Sequence, residues 1–332
     1  MSEEKEPIRV VISGAAGQIG YALIPLVAGG KTFGPNQPII LHLLDIPPAM
    51  KCLGGVVMEI EDCAYPLVRG IVATDSYEVA FDKVDWAILV GGFPRKKGML
   101  RKDLLAKNAS IYIETGKVLD RCASKDCHVL VVANPANTNA NTLSMNTPSI
   151  PRGNITALTR LDMNRGAGIL AKRLGAKPSD VTNVTIFGNH SKTQFPYIDR
   201  ADINGTPIRT AINDDSFLDQ GFITQVQNRG AEVIAARGFS SAMSAANAIK
   251  DHVHDWFHGT KPGQIVSMGV DSTGNPYGIA DGLIYSFPVT IKNREWAIVG
   301  GFSLTDAQRT LMQTTEKELK EEKDEVSASS NL

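Results

Sequence analysis

The chain has 332 residues, of which 43% are hydrophobic, and 34 Lys plus Arg against 35 Asp plus Glu give a net charge of -1. This length suits about two domains with full cores, and the balanced charge gives no electrostatic case for binding nucleic acid or an anionic membrane. No apolar run approaches the roughly 20 residues needed to span a bilayer.

Met1 to Glu6 is acidic and carries neither a signal-peptide core nor an Arg-rich transit pattern, so a cytoplasmic location is expected. Ile8 to Ile12 reads as a strand, followed by a Gly-rich turn and a helix to about Val27. Ile39 to Leu44 is the next strand and ends at Asp45. Val56 to Tyr65 has helical periodicity, and Gly70 to Ala73 and Val84 to Val90 read as strands. A helix is expected over about Asp103 to Ala123, and the strand Val129 to Ala133 runs into Asn134-Pro135. This alternation predicts an α/β fold, with a Rossmann-type doubly wound parallel sheet covered by helices on both faces.

Near Ile155 the pattern changes, which predicts a first domain over residues 1–155 and an α+β catalytic domain over 156–332. A helix over about Asn164 to Leu174 and a strand over Val181 to Phe187 come first. Residues 197–213 read as strands joined by turns at Asn204-Gly205 and Thr206-Pro207. Two long helices, about 215–237 and 242–257, precede strands near 265–270, 283–291 and 296–299. The last helix covers about 305–323 and sets Glu316 and Lys320 at pair spacing. Val326 to Leu332 reads as a frayed tail. Cys52, Cys63, Cys122 and Cys127 form no C-x-x-C pair and no zinc-spaced Cys/His cluster, so reduced thiols and no metal are expected. His254 and His258, four apart, read as a solvated helix face.

Three constellations carry chemistry. The segment Gly91 to Lys102 reads G-G-F-P-R-K-K-G-M-L-R-K, and Pro94 and Gly98 keep it irregular. Guanidinium grips a carboxylate through two parallel hydrogen bonds. Arg95 and Arg101 on one loop, with Arg165 in another polar cluster, point to a small substrate with more than one carboxylate. With Lys96, Lys97 and Lys102 nearby, a merely solvated basic loop has equal weight when the segment is taken alone.

Residues 14–20, G-A-A-G-Q-I-G, follow a strand and open a helix. Gly14 allows the tight turn, Gly17 lets the backbone approach a pyrophosphate and Gly20 allows close helix–sheet packing. Free N–H groups at the helix start supply an anion site. The spacing is one residue longer than the usual dinucleotide fingerprint, so a Gly-rich turn that only packs is the plain alternative. Asp45, about 25 residues on, would accept hydrogen bonds from ribose hydroxyls and repel a 2′-phosphate, which favours NAD over NADP.

The third constellation is Leu161-Asp162-Met163-Asn164-Arg165 with Phe187-Gly188-Asn189-His190-Ser191. A buried carboxylate behind an imidazole builds a general base useful near neutrality. Asp162 would hold the far ring nitrogen and His190 would exchange a proton with the substrate, with Arg165 on the same helix face as Asp162. The alternatives are an N-cap for Asp162, a turn histidine for His190 and a surface arginine for Arg165.

With these segments, the chain resembles the NAD-dependent malate dehydrogenases, in their cytosolic branch. The likeness runs through L-L-D-I-P-P-A (43–49), V-V-A-N-P-A-N-T-N (131–139), L-T-R-L-D-M-N-R (158–165), G-N-H-S (188–191), S-S-A-M-S-A-A (240–246), V-S-M-G-V (266–270) and G-L-I-Y-S-F-P-V (282–289). The resemblance implies Asp162 and His190 as the catalytic pair and Arg165 on the substrate's C1 carboxylate. It puts Arg95 on the distal carboxylate and Arg101 on the reacting carbonyl. Asn134 then contacts substrate and nicotinamide, and Gly14, Ala15, Ala16, Gly17, Gln18, Ile19, Gly20, Asp45, Asn108 and Val132 contact the cofactor. Ser244 would line the nicotinamide pocket. The implied activity is reversible oxidation of (S)-malate to oxaloacetate with NAD, in a homodimer. Relatives tend to carry Gln where Glu114-Thr115-Gly116 has Thr115, a departure within a cofactor-contacting stretch. A lactate dehydrogenase on the same scaffold would have a neutral residue at Arg95, and a dinucleotide-fold protein without catalysis would not need His190, Asp162 and three arginines together.

Overall fold

A computed structural model of the chain describes residues 5–93 and 101–330, with side chains from Asp103 to Ala328 in the second stretch, so Arg95 and the Arg101 side chain lie outside the described residues. In chain order, the first elements are β1 (Ile8–Ser13), α1 (Gln18–Ala28), β2 (Ile39–Leu44), α2 (Met50–Asp62), β3 (Val68–Thr74), α3 (Tyr77–Phe81), β4 (Trp86–Leu89), α4 (Arg101–Cys122), β5 (His128–Val131), α5 (Ala136–Met145) and β6 (Ile155–Ala157). There follow α6 (Arg160–Leu174), β7 (Val181–Thr182), β8 (Thr185–Phe187), β9 (Phe195–Tyr197), β10 (Asp202–Ile203), β11 (Thr206–Pro207), α7 (Ile208–Ile212), α8 (Phe222–Arg237), α9 (Met243–His258), β12 (Val266–Asp271), β13 (Ile284–Lys292), β14 (Glu295–Ile298) and α10 (Asp306–Ser330).

Two compact units result. One takes the chain up to Thr156, Ala242–His254 and the end from Glu322; the other takes Ala157–Ser241 and Asp255–Glu321. The first stretch of the first unit ends at Thr156, beside the cut expected at 155.

The first unit has a parallel sheet whose strands β1, β2, β4 and β5 are short, apolar and mostly buried, as βαβ crossovers require, while β3 forms its more exposed edge. β1 pairs with β2 on one side and β4 on the other, β2 with β3 and β4 with β5, all parallel. The order β3-β2-β1-β4-β5 reverses direction between β1 and β4. That reversal is the point at which doubly wound sheets leave a crevice beyond their strand ends. Val10, Val11, Ile12, Leu41, Leu43, Ile88 and Val129 are all fully buried. Trp86 stacks against His128 at 4.6 Å between centroids and meets Phe33 edge-on at 5.4 Å.

α5, like the short α3, is an element that sequence periodicity did not reveal. Its residues, A-N-T-N-A-N-T-L-S-M, have no apolar stripe, yet Asn137, Thr138, Asn139, Asn141 and Thr142 are buried with Ala136, Ala140 and Leu143. Buried polar groups need partners. Asn139 donates to the Ala133 carbonyl at 2.8 Å, Thr142 to the Thr138 carbonyl at 2.9 Å, Thr138 to the Glu322 carboxylate, and Asn141 accepts from Arg152 at 2.9 Å. Tertiary bonding outweighs the poor helix propensity of Asn and Thr. α4 crosses α5 at Gly116, where an added Cβ would lie 2.9 Å from Asn146 Cβ.

In the second unit β12, β13 and β14 form an antiparallel meander, β8 pairs with β9, and β10 lies between β7 and β11. The expected strand Val181–Phe187 is two strands, interrupted at Asn183, whose φ of 58° leaves the extended region. Residues 208–212, expected as strand, form helix α7 after the turn made by Asn204-Gly205. α6 and α8 share a core with these short strands, made by Leu170, Val184, Ile186, Ile198, Ile208, Leu218, Phe222 and Val226. Buried Arg160 pairs with Asp255 at 2.6 Å.

The end of the chain corrects another expectation. Val326, placed in a frayed tail, is 3% exposed and packs with Leu105 and Ala109, so α10 continues to Ser330. Glu316 and Lys320 make the expected pair at 2.5 Å. Among the described residues no helix is long and apolar enough to cross a membrane.

Candidate active site

The glycine loop sits at the crevice end of β1. Gly14 has a φ of 67°, and a Cβ there would lie 3.0 Å from the Gly91 backbone. Only glycine avoids both the strained conformation and that close approach. The Gly91 N–H donates to Ser13 Oγ at 3.0 Å, which joins the loop after β1 to the loop after β4. Gly17 is exposed, and an added Cβ would meet only the Gly14 carbonyl, at 3.2 Å. Gly20 was expected to serve helix–sheet packing. Instead its missing side chain makes room for the loop itself, since a Cβ would lie 2.5 Å from the Gly14 carbonyl oxygen and 2.7 Å from Ala15 Cα.

α1 starts after Gly17 with no side-chain cap and no acidic residue in its first turn. The first N–H groups of a helix have no partner within it, and the helix dipole adds positive potential there. Ala16, Gln18 and Ile19 flank that end, with Ala15 buried beneath. Asp45 closes the cradle from β2. One carboxylate oxygen accepts from Ala16 N at 2.9 Å and the other from Ile46 N at 2.8 Å. A pyrophosphate fits this arrangement, because the loop lacks the Cβ atoms and the acidic cap that would exclude it.

The remaining expected cofactor positions of this unit divide into open and closed ones. Asn134 is exposed after β5, next to a cis peptide bond to Pro135, and Val132 is 9% exposed. Asn108 is fully buried. Its Oδ1 accepts from Phe93 N at 2.9 Å, and its Nδ2 donates to the carbonyls of Phe93 at 3.2 Å and Leu104 at 3.1 Å. The side chain therefore pins the root of the arginine loop. Thr115 is 4% exposed on α4, and Ser244 is exposed in the first turn of α9.

In the second unit, Asp162, Arg165 and His190 come together as the sequence suggested. α6 begins at Arg160 behind Thr159, so Asp162 lies inside the first turn and is not the N-cap. Asp162 is 0% exposed. One oxygen accepts from Arg165 at 3.0 Å and the other bonds His190 Nδ1. Burial would push this carboxyl up. The His190 imidazole, the Arg165 guanidinium and a bond from Gln194 outweigh it, and the carboxyl falls below its ordinary value. Since its pKa falls on folding, the carboxylate stabilises the native state above the ordinary value of 3.8 and loses that contribution as the pH falls through the folded value.

The supports of this pair were not singled out in the sequence. Ser286 on β13 donates to the Ile186 carbonyl at 2.7 Å and lies 2.8 Å from the Thr159 hydroxyl, which ties the start of α6 to β8. Phe187 ends β8 inside a cluster of rings, with Tyr277 at 5.1 Å, Tyr197 at 5.9 Å and Phe302 at 6.0 Å. Ser241 accepts from Arg165 at 3.2 Å, and Gly230 leaves room beside the guanidinium, whose nitrogens would lie 3.7 and 3.8 Å from a Cβ there. Ser241 and Ser286 both sit in segments that carried the family resemblance, so the signal was present without a role attached.

Residues 8–156 match the NAD binding domain of lactate/malate dehydrogenases, and residues 159–330 match the alpha/beta C-terminal domain of the same family. The chain belongs to the lactate/malate dehydrogenase family. It is 52% identical to the cytoplasmic malate dehydrogenase of Medicago sativa over 323 residues, 96% of this chain and 97% of the relative. The crystal structure of Naegleria fowleri malate dehydrogenase superposes with a TM-score of 0.94 at 43% identity, covering 98% of this chain and 100% of that one. Trichomonas vaginalis lactate dehydrogenase in complex with NADH and oxamate gives 0.93 at 35%, also covering 98% and 100%. The α/β fold with an NAD-binding parallel sheet is thus that of the family. Because both kinds of dehydrogenase share it, substrate choice within the family rests on side chains and not on the scaffold.

Proposed function

We propose that the protein is an NAD-dependent malate dehydrogenase of the cytoplasm, interconverting (S)-malate and oxaloacetate as a homodimer. The observation that carries this reading is the fully buried Asp162, which holds His190 with one oxygen and Arg165 with the other. It sits in a chain 52% identical to a cytoplasmic malate dehydrogenase.

NAD supplies the hydride acceptor when bound. The N–H groups around Gly14 to Gly20 hold its pyrophosphate, Asp45 its adenosine ribose, and Val132 and Asn134 line the nicotinamide side. Asn108 acts by fixing Phe93, since its amide is already engaged there. With Nδ1 turned to Asp162, His190 uses Nε2 to take the C2 hydroxyl proton of malate, and returns it to the carbonyl oxygen in the reverse direction. Asp162 stabilises the imidazolium in between and fixes the tautomer. Arg165 has five N–H donors, of which Asp162 and Ser241 engage two, so others remain for the C1 carboxylate. Arg95 grips the distal carboxylate and Arg101 polarises the carbonyl.

NADH oxidation measured with oxaloacetate and with pyruvate tests the substrate. We expect kcat/KM to favour oxaloacetate by about 10³-fold or more, because pyruvate leaves Arg95 unpaired. Comparable rates would make the protein a general 2-oxoacid reductase.

The role of Asp45 is tested by Asp45→Ser and fluorescence titration. Hydrogen bonds to a charged acceptor contribute about 1.5–3 kcal/mol, so the NADH Kd should rise about 10- to 100-fold. The preference over NADPH should narrow as the repulsion goes. Unchanged NADH affinity would remove Asp45 from the ribose site.

A further inference from the structure

We infer that Glu318, with Thr315 one turn before it on α10, is the positioning residue that sets the His190 imidazole for proton transfer. The inference rests on the proposed role of His190 and concerns residues to which neither the sequence motifs nor that role assign a part.

The loop Gly188 to Gln194 lies between β8 and β9 and has little backbone structure of its own. Ser191 N donates to the Asn189 carbonyl at 2.8 Å and Gln194 N to the Ser191 carbonyl at 3.3 Å. Its side chains instead converge on one face of α10. Glu318 Oε2 accepts from Asn189 Nδ2 at 3.0 Å, from Thr193 Oγ1 at 2.6 Å and from the Ser191 hydroxyl. Thr315 Oγ1 accepts from Asn189 N at 2.8 Å and lies 2.8 Å from the Thr193 hydroxyl. The residues held are thus the one before His190, the one after it, and one two further on. Gly188 completes the contact. Its φ is 96°, and a methyl there would overlap the Thr315 side chain.

An ionised carboxylate suits this work because it only accepts, so one oxygen can gather several donors that the loop backbone leaves over. Charge-assisted bonds are about twice as strong as neutral ones. Two acids therefore act on the same histidine. Asp162 touches the ring, while Glu318 fixes the backbone that carries it. Small displacements of a catalytic group are costly, with about 1 Å enough to lose 10²-fold in rate.

Glu318→Ala and the nearly isosteric Glu318→Gln, in the full chain, separate positioning from simple packing. Single-turnover NADH oxidation with saturating oxaloacetate reads the chemical step, and fluorescence titration reads NADH binding. The low-field proton resonance of His190 Nδ1, identified by its absence in His190→Asn, reads the imidazole itself. The chemical step should slow about 10- to 100-fold in Glu318→Ala, with NADH affinity within about twofold of wild type and the resonance shifted or exchange-broadened. Glu318→Gln keeps one acceptor oxygen and should fall between the two; if the alanine variant does not fold, it decides alone. A chemical step within about twofold of wild type in the Gln variant, or a slower one with the resonance unmoved, overturns the inference. If His190→Asn itself retains turnover, the proton-transfer assignment fails first. If His190→Asn is inactive while the Glu318 variants match wild type, only the positioning role is lost.

Discussion

His190→Asn is expected to lower kcat for oxaloacetate reduction by about 10²- to 10⁴-fold, the usual span for a lost general acid–base. NADH binding should stay within about twofold, because the phosphate cradle is built from β1, α1 and Asp45, elements remote in sequence from the histidine loop. Asp162→Asn should be as severe. Its oxygens serve His190 and Arg165 together at 0% exposure, so an amide there must turn an N–H toward one of two donors. It would also leave the half-buried guanidinium without its counter-charge. The two variants differ in what they leave behind: His190→Asn removes the proton-transfer group outright, whereas Asp162→Asn keeps the imidazole without the carboxylate that orients it. A loss of less than about tenfold in His190→Asn would show that another group carries the proton.

The second large effect is expected at Arg95, which lies outside the described residues. Arg95→Gln should lower kcat/KM for oxaloacetate by about 10²- to 10³-fold, as a bidentate charged contact is exchanged for a neutral one. The rate with pyruvate should hold or rise, because a methyl group no longer faces an unpaired charge. The ratio between the substrates is the informative quantity, since it cancels general damage to the fold. A variant that loses both substrates equally would place Arg95 in loop structure and leave the distal carboxylate to another cation.

Much of this was legible in the sequence where one physical rule dominates. Ile39–Leu44 was read to the residue because it is a short apolar run opened by two β-branched residues and closed by Asp45, with no competing period. Asp162, Arg165 and His190 were read because carboxylate, guanidinium and imidazole at those places have few other uses together. The misses share a different cause. α5 has the composition of a loop and is a helix only because Arg152 and Glu322 meet its amides and hydroxyls, partners that no local window contains. Asn204-Gly205 announces a hairpin and β10 and β11 form it, but beyond Pro207 the chain turns helical and Ile208 enters the core of α6 and α8. Glu318 lies in a helix rich in Glu and Lys, where nothing local sets it apart. Its meaning lies in residues more than a hundred positions away.

An apolar core can exchange one hydrophobic side chain for another of similar volume and still bury much the same oil, which is why such cores accept repacking. α5 has no such freedom. Thr138, Asn139 and Asn141 are matched to Glu322, the Ala133 carbonyl and Arg152 outside the helix, and a step of one residue would break those bonds together and leave buried polar groups unmet. Since the helix starts right after Asn134-Pro135, it works as a key cut for a single lock position. The place where the chain offers Asn134 is fixed by hydrogen-bond matching, and a hydrophobic substitution chosen to strengthen this core would blur that register.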